Sequence, residues 1–218
     1  EARVEELESE IESSSKLSPE LRKWFDRLKI VGFADVTFGA VDREEGHEEG
    51  DDSSAFALGT LDLTFAADLP AHISMLAEIA LEAEEDNETE HDLERLQIKY
   101  RPFDELSIAA GRFHTALGYW NQTWHHGRLL FKSLDRPDFY QFHDHALLPT
   151  HMVGLQLEGT ISGAALAFKY VAWVSNGRGK EHSETQIARD ANKSKAVGLN
   201  LGLEPRAIPG LVVGGMAT

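Results

Sequence analysis

The chain contains no cysteine, which removes disulfides and thiolate metal sites from consideration. Nowhere do about 18 apolar residues run together, the length a membrane-crossing helix needs, so a transmembrane helix is excluded. The opening residues from Glu1 are charged and show no secretory leader. Basic residues are scarce. Lys and Arg number 21 against 37 Asp and Glu, a formal charge of -16, which argues against nucleic acid as a partner. What is present is a 42% hydrophobic content in 218 residues, enough for one ordinary domain and too much for wholesale disorder.

Residues 1–28 are charged and favour helix. Val4, Leu7 and Ile11 give a thin heptad-like stripe that Ser13 to Ser15 interrupt, and Ser18-Pro19-Glu20 has the form of a helix start. Two short amphipathic helices or a short oligomeric coiled coil are expected there. From Lys29 the period changes to two, and residues 29–218 read as β-strands with one apolar and one wet face. Ala34, Val36 and Phe38 oppose Asp35 and Thr37; Leu61, Leu63 and Phe65 oppose Asp62 and Thr64. Ile73 to Leu81 alternate with Ser74, Glu78 and Glu82, and Leu96, Ile98 and Tyr100 with Arg95, Gln97, Lys99 and Arg101. A less regular strand follows Leu106, with a bulge expected near Gly111. Val153 to Leu157, Leu166 to Ala172 and Val197 to Leu203 continue the pattern, and a ninth strand begins at Leu211.

The connections alternate in length. Residues 42–54, 85–92, 121–150 and 177–195 are long; Asp68 to Ala71, Pro102 to Glu105, Ser162-Gly163 and Pro209-Gly210 are short. An antiparallel up-and-down transmembrane β-barrel has this asymmetry, with short periplasmic turns and long outer loops. The expected fold is therefore all-β. It comprises about nine strands forming the N-terminal part of a barrel, because single-chain bacterial barrels have even counts, and short N-terminal helices precede it in the periplasm. Tyr100, Tyr119, Trp120 and Trp173 near the expected strand ends fit an interfacial girdle.

The segment Gly111-Arg112-Phe113-His114-Thr115-Ala116-Leu117-Gly118-Tyr119-Trp120-Asn121, followed by His125-His126-Gly127, resembles Gram-negative outer-membrane porin-like barrels of the phosphate-selective porin O and P superfamily. Arg136-Pro137, the stretch Leu148 to Gly154, and the approach to Gly32-Phe33-Ala34-Asp35 are similar too. Relatives often carry proline where Ala116 stands. The resemblance implies a trans-outer-membrane pore for passive diffusion of small hydrophilic solutes or ions, further strands ending in an aromatic residue, and no enzymatic activity. Lipid bilayer and lipopolysaccharide would be the surroundings, and a homo-oligomer such as a trimer is compatible.

Alternation assigns Asp35, Asp62, Glu78, Glu82, Arg95, Gln97, Lys99, Arg112, Glu158 and Lys169 to the pore lining. Their mixed signs do not form the basic ladder that phosphate selectivity would require. The loops around His47 and His91 carry Glu44, Glu45, Glu48, Glu49 and Asp51, and Glu85, Asp86, Glu88, Glu90 and Asp92. Such a rim concentrates cations and admits a bound divalent cation; no other cofactor is expected. In the loop 121–150, Arg128, Lys132, Asp135, His143 and His145 are candidates for a constriction, and His125, His126, His143 and His145 for metal ligation. His114 and His151 flank the same loop. Two alternatives stay open: a soluble β-rich metal-binding or hydrolytic domain, and a structural outer-membrane barrel without transport.

Overall fold

β-branched and aromatic residues alternating with polar ones favour a pleated strand with two unlike faces, and nine such strands are present among the described residues. A computed structural model describes residues 26–41, 53–83, 88–125, 137–140, 147–177 and 193–218, with Lys23 and Arg189. The strands are β1 (Leu28–Val41), β2 (Ser53–Leu69), β3 (Ile73–Ala83), β4 (Thr89–Phe103), β5 (Leu106–His114), β6 (His151–Ser162), β7 (Leu166–Ser175), β8 (Ala196–Pro205) and β9 (Val213–Ala217). One short helix, α1 (Gly118–Thr123), follows β5, and a 3-10 turn spans Asp138–Tyr140. The expected helices and coiled coil of residues 1–22 lie outside the described residues.

All nine strands form one antiparallel sheet in sequence order, each pairing with its chain neighbours. The all-β, up-and-down expectation holds at this level. The sheet is not closed into a barrel, and among the described residues β1 and β9 are its edges. Since consecutive strands run in opposite directions, connections alternate between the two ends. The three-residue turn 70–72, the dipeptide 104–105, and residues 163–165 and 206–212 lie at one end. The strand ends that bound the β1–β2, β3–β4, β5–β6 and β7–β8 connections lie at the other.

Register aligns the apolar residues across the sheet. Leu63 pairs with Ile79, Met75 with Ile98, Ile98 with Ala110, and Ile108 with Leu157. Leu157 then pairs with Ala172, and Ala172 with Leu199. This face is left open: Ile98 is 52% exposed, Leu157 42% and Leu199 41%. The opposite face carries Thr64, Glu78 and Arg95 in register, then Lys99, Gln156 and Glu158. It is the more enclosed of the two, with Asp62 and Glu78 only 2% exposed. A flat sheet would expose both faces equally, so this sheet curls with its polar side inward.

Several glycines stand where a side chain would obstruct, Gly111 and Gly159 among them. Gly111 has φ +132, and a Cβ there would run into the Leu96 carbonyl of the adjacent strand. Gly159 leaves room for Tyr170, its partner in register, whose hydroxyl donates to the Glu105 carbonyl at 2.7 Å. The bulge expected at Gly111 lies instead in the strand beside it. Pairing passes from Glu78–Arg95 to Ile79–Leu93, so Glu94 has no partner on β3. A second irregularity separates Tyr100–Ile108 from Phe103–Leu106.

At the long-loop end, Phe113, Ala116, Leu117, Met152 and Trp173 pack into a small buried core. This corrects part of the aromatic-girdle expectation: Trp173 is 4% exposed. It alternates with the outward Ala172 and Val174, so the period-two pattern itself turns it inward. Tyr119 and Trp120 lie on α1 rather than at a strand end, and Trp120 stacks on Tyr140 at 5.3 Å between ring centroids.

Candidate functional site

The polar face is an ionic network spread over consecutive strands. On β3, Glu78 accepts from Arg95 Nε at 2.5 Å and Nη2 at 2.9 Å, and from the Thr64 hydroxyl at 3.0 Å. Such a two-pronged guanidinium–carboxylate contact fixes geometry as well as charge. Lys99 pairs with Glu158, which also accepts from Gln156 at 2.9 Å. Lys169 meets Glu204 at 2.7 Å. Asp35 accepts from the Thr60 amide at 3.0 Å where β1 and β2 shift register. Glu82 stands opposite Glu90 and Gln97 opposite Leu76. Arg112 differs from the rest: it pairs in register with Leu96, and its guanidinium reaches Asp92 at 3.2 Å and the Glu94 carbonyl at 3.2 Å. A concavity of about 1220 Å³ opens on this side, bordered by Arg101, Ser107, Glu158, Lys169, Asn200 and Gln122.

The beginning of the longest connection crosses the same side. Asn200 on β8 donates to the Ala116 carbonyl at 2.7 Å, and the Gly118 amide meets the Met216 sulfur on β9 at 2.7 Å. Tyr140 donates its hydroxyl to the Leu117 carbonyl, and burial pushes its phenol above the usual range. Loop residues 115–125 are thus tied to the inner wall of the sheet.

Where this loop meets β4, β5 and β6, four ligating side chains converge. They are Glu94, His114, His125 and His151, each offering one atom, all within 4.8 Å of one another. The local sequence explains each placement. Glu94 is the unpaired bulge residue, and a bulge re-aims a side chain. His114 and His151 are direct register partners at the last position of β5 and the first of β6. His125 follows α1 and is carried inward by it. The His151 Nε2 lies 2.6 Å and the His125 Nε2 3.2 Å from Glu94 Oε2, while the His114 Nε2 is 3.8 Å from Glu78 Oε2. The rings of His114 and His125 lie 3.9 Å apart between centroids, and those of His125 and His151 4.6 Å.

Asn121, fully buried on α1, orders this cluster from behind. Its amide nitrogen donates to the Thr115 and Thr150 carbonyls at 3.1 and 2.9 Å, and its oxygen meets His125 Nδ1 at 2.9 Å.

Of the histidines expected to ligate metal, the structure brings His125 into a cluster with His114 and His151; His126, His143 and His145 belong to the same expectation. Those three, and the candidate constriction residues Arg128, Lys132 and Asp135, lie outside the described residues. So do the acidic residues 42–52 and 84–87. Sequence reasoning missed Glu94. Its signal was present: the doublet Glu94-Arg95 between Leu93 and Leu96 breaks strict alternation, as an inserted bulge residue does. No protein-family model matches this chain, and no curated protein matches it closely enough to count as a relative.

Proposed function

We propose that this chain forms the wall of an outer-membrane β-barrel channel of the porin type, through which small hydrophilic solutes or ions diffuse. One observation carries the reading: a single up-and-down sheet whose apolar face is continuous and open while its ionic face is turned inward and partly buried. Water-soluble monomers rarely expose an apolar patch beyond a few hundred Å². Here the exposed residues run from Ile30 and Val36 on β1 through Ile98, Leu155 and Leu157 to Leu203 on β8. Hydrocarbon is the solvent that suits such a face. The four long connections at one end agree with loops facing outside and tight turns facing the periplasm. The resemblance of residues 111–127 to phosphate-selective porins O and P points the same way.

Closure follows from lipid chemistry. Unpaired backbone groups at the β1 and β9 edges cannot be left in hydrocarbon, so further strands or another chain complete the ring. The lining is mixed in sign, Glu78, Glu158 and Glu204 against Arg95, Lys99 and Lys169. That composition suits a weakly selective pore more than one specialised for phosphate.

The test is planar-bilayer recording with the full-length gene product purified in detergent. Discrete conductance steps and precipitation on detergent removal are expected. A protein that stays monomeric without detergent and opens no conductance sinks the reading in favour of a soluble β-rich domain. Detergent dependence without conductance would favour a structural barrel.

A further inference from the structure

We propose that Glu94, His114, His125 and His151 form a divalent transition-metal site, best suited to zinc, that clamps the longest loop to the wall of the sheet. The inference stands on side-chain geometry and does not depend on whether the sheet conducts.

Hydrogen-bond logic leads to it. The Asn121 amide nitrogen is directed at two main-chain carbonyls, which only accept. Its oxygen therefore faces His125 Nδ1, and Nδ1 must be the protonated nitrogen. In a neutral ring that leaves Nε2 as an acceptor, 3.2 Å from a carboxylate oxygen that is also an acceptor. Two lone pairs then face one another, an arrangement that a proton or a metal cation between them satisfies. His151 Nε2 approaches the same oxygen at 2.6 Å, and the His114 ring closes the third side. A single divalent ion satisfies the converging lone pairs at once.

The ligand set fits zinc. Three imidazoles and one carboxylate fill four tetrahedral positions, the closed coordination of structural zinc sites. Zinc–nitrogen bonds of about 2.0–2.1 Å place tetrahedral ligand atoms roughly 3.4 Å apart. The separations here, from 2.6 Å to at most 4.8 Å, bracket that value. The outer partners suit a metal site as well. Ligating histidines donate their far nitrogen to a fixed oxygen, as His125 does to Asn121. Three ligands sit on adjacent strands and the fourth on the loop, so the ion would join residues 115–125 to β4, β5 and β6.

The experiment uses the full-length protein, purified in detergent, stripped with chelator and titrated with zinc chloride, then with cobalt chloride. One tightly held equivalent of zinc per chain is expected. Cobalt should give the intense visible absorption of a four-coordinate ion, and zinc-edge X-ray absorption should show scattering from three imidazoles. His125→Gln and Glu94→Gln should each remove that equivalent. Asn121→Ala should weaken zinc binding roughly 10–100-fold, as outer partners do. Heat-dependent migration on denaturing gels checks that each variant folds. Should a variant fail to fold, the wild-type imidazole count decides alone. Absence of stoichiometric zinc overturns the proposal. So does an equivalent that both folded glutamine variants retain, or a wild-type spectrum with fewer than three imidazoles.

Discussion

Asn121 is the residue whose loss should be felt furthest from itself. Alanine there leaves the buried Thr115 carbonyl without its side-chain donor and unfixes the His125 ring. A buried polar group stripped of its partner costs about 1–3 kcal/mol. Urea unfolding of Asn121→Ala in detergent should therefore show a loss of about 2 kcal/mol. The exposed neighbour Gln122, changed to alanine, should stay within about 0.5 kcal/mol of the parent. Equal midpoints for the two variants would show that the Asn121 network contributes nothing measurable. At this scale the sequence was only partly readable. The histidines flanking residues 121–150 stood out by type, but which of them meet depends on the register of β5 against β6. It also depends on α1 turning inward, and neither is a local property of the chain.

The strand is the scale at which the sequence spoke most clearly. Alternation identified the wet and apolar faces of β2, β3, β4, β7 and β8, because a slip of one residue would transfer every charge to the wrong side. On β4, Gln97 belongs to the inner set and Ile98 to the outer one, where Ile98 sits between Met75 and Ala110. If the outer face meets lipid, Ile98→Arg should cost about 2–4 kcal/mol near the midplane. Gln97→Arg should be tolerated. The fraction of protein reaching the heat-modifiable outer-membrane form measures the difference; equal yields would count against lipid contact at Ile98. What alternation did not give was the irregularity. Gly111 invited a bulge because glycine in a strand often marks one, yet its left-handed backbone is accommodated within continuous pairing, and the extra residue is Glu94 on the facing strand. Trp173 was assigned by its residue type to a girdle that its own position in the alternation denies it.

For the whole molecule, the two unlike ends make orientation testable. If the sheet spans an outer membrane as proposed, protease added to intact cells should cut the long connections, near Gly46 or Gly177, and spare residues 1–28; cuts confined to residues 1–28 would invert the topology. If the loop tied down by Asn200 and Met216 narrows the pore, deleting residues 128–145 from the complete protein should raise conductance and flatten ion selectivity. Unchanged conductance in a correctly assembled barrel would place the loop outside the permeation path. The alternation of short and long connections also dictates an order of events. Hairpins β2–β3, β4–β5 and β6–β7 close through turns of two or three residues, whereas β5 must find β6 across residues 115–150. By chain-closure entropy that encounter is about 2–3 kcal/mol less favourable than closing a tight turn. The β5–β6 seam should be among the slowest to form. His114 and His151 face each other across it at its loop end, with Glu94 and His125 alongside. A ligand gathering those four would act as a kinetic latch, holding two early-formed halves of the sheet together once they have met.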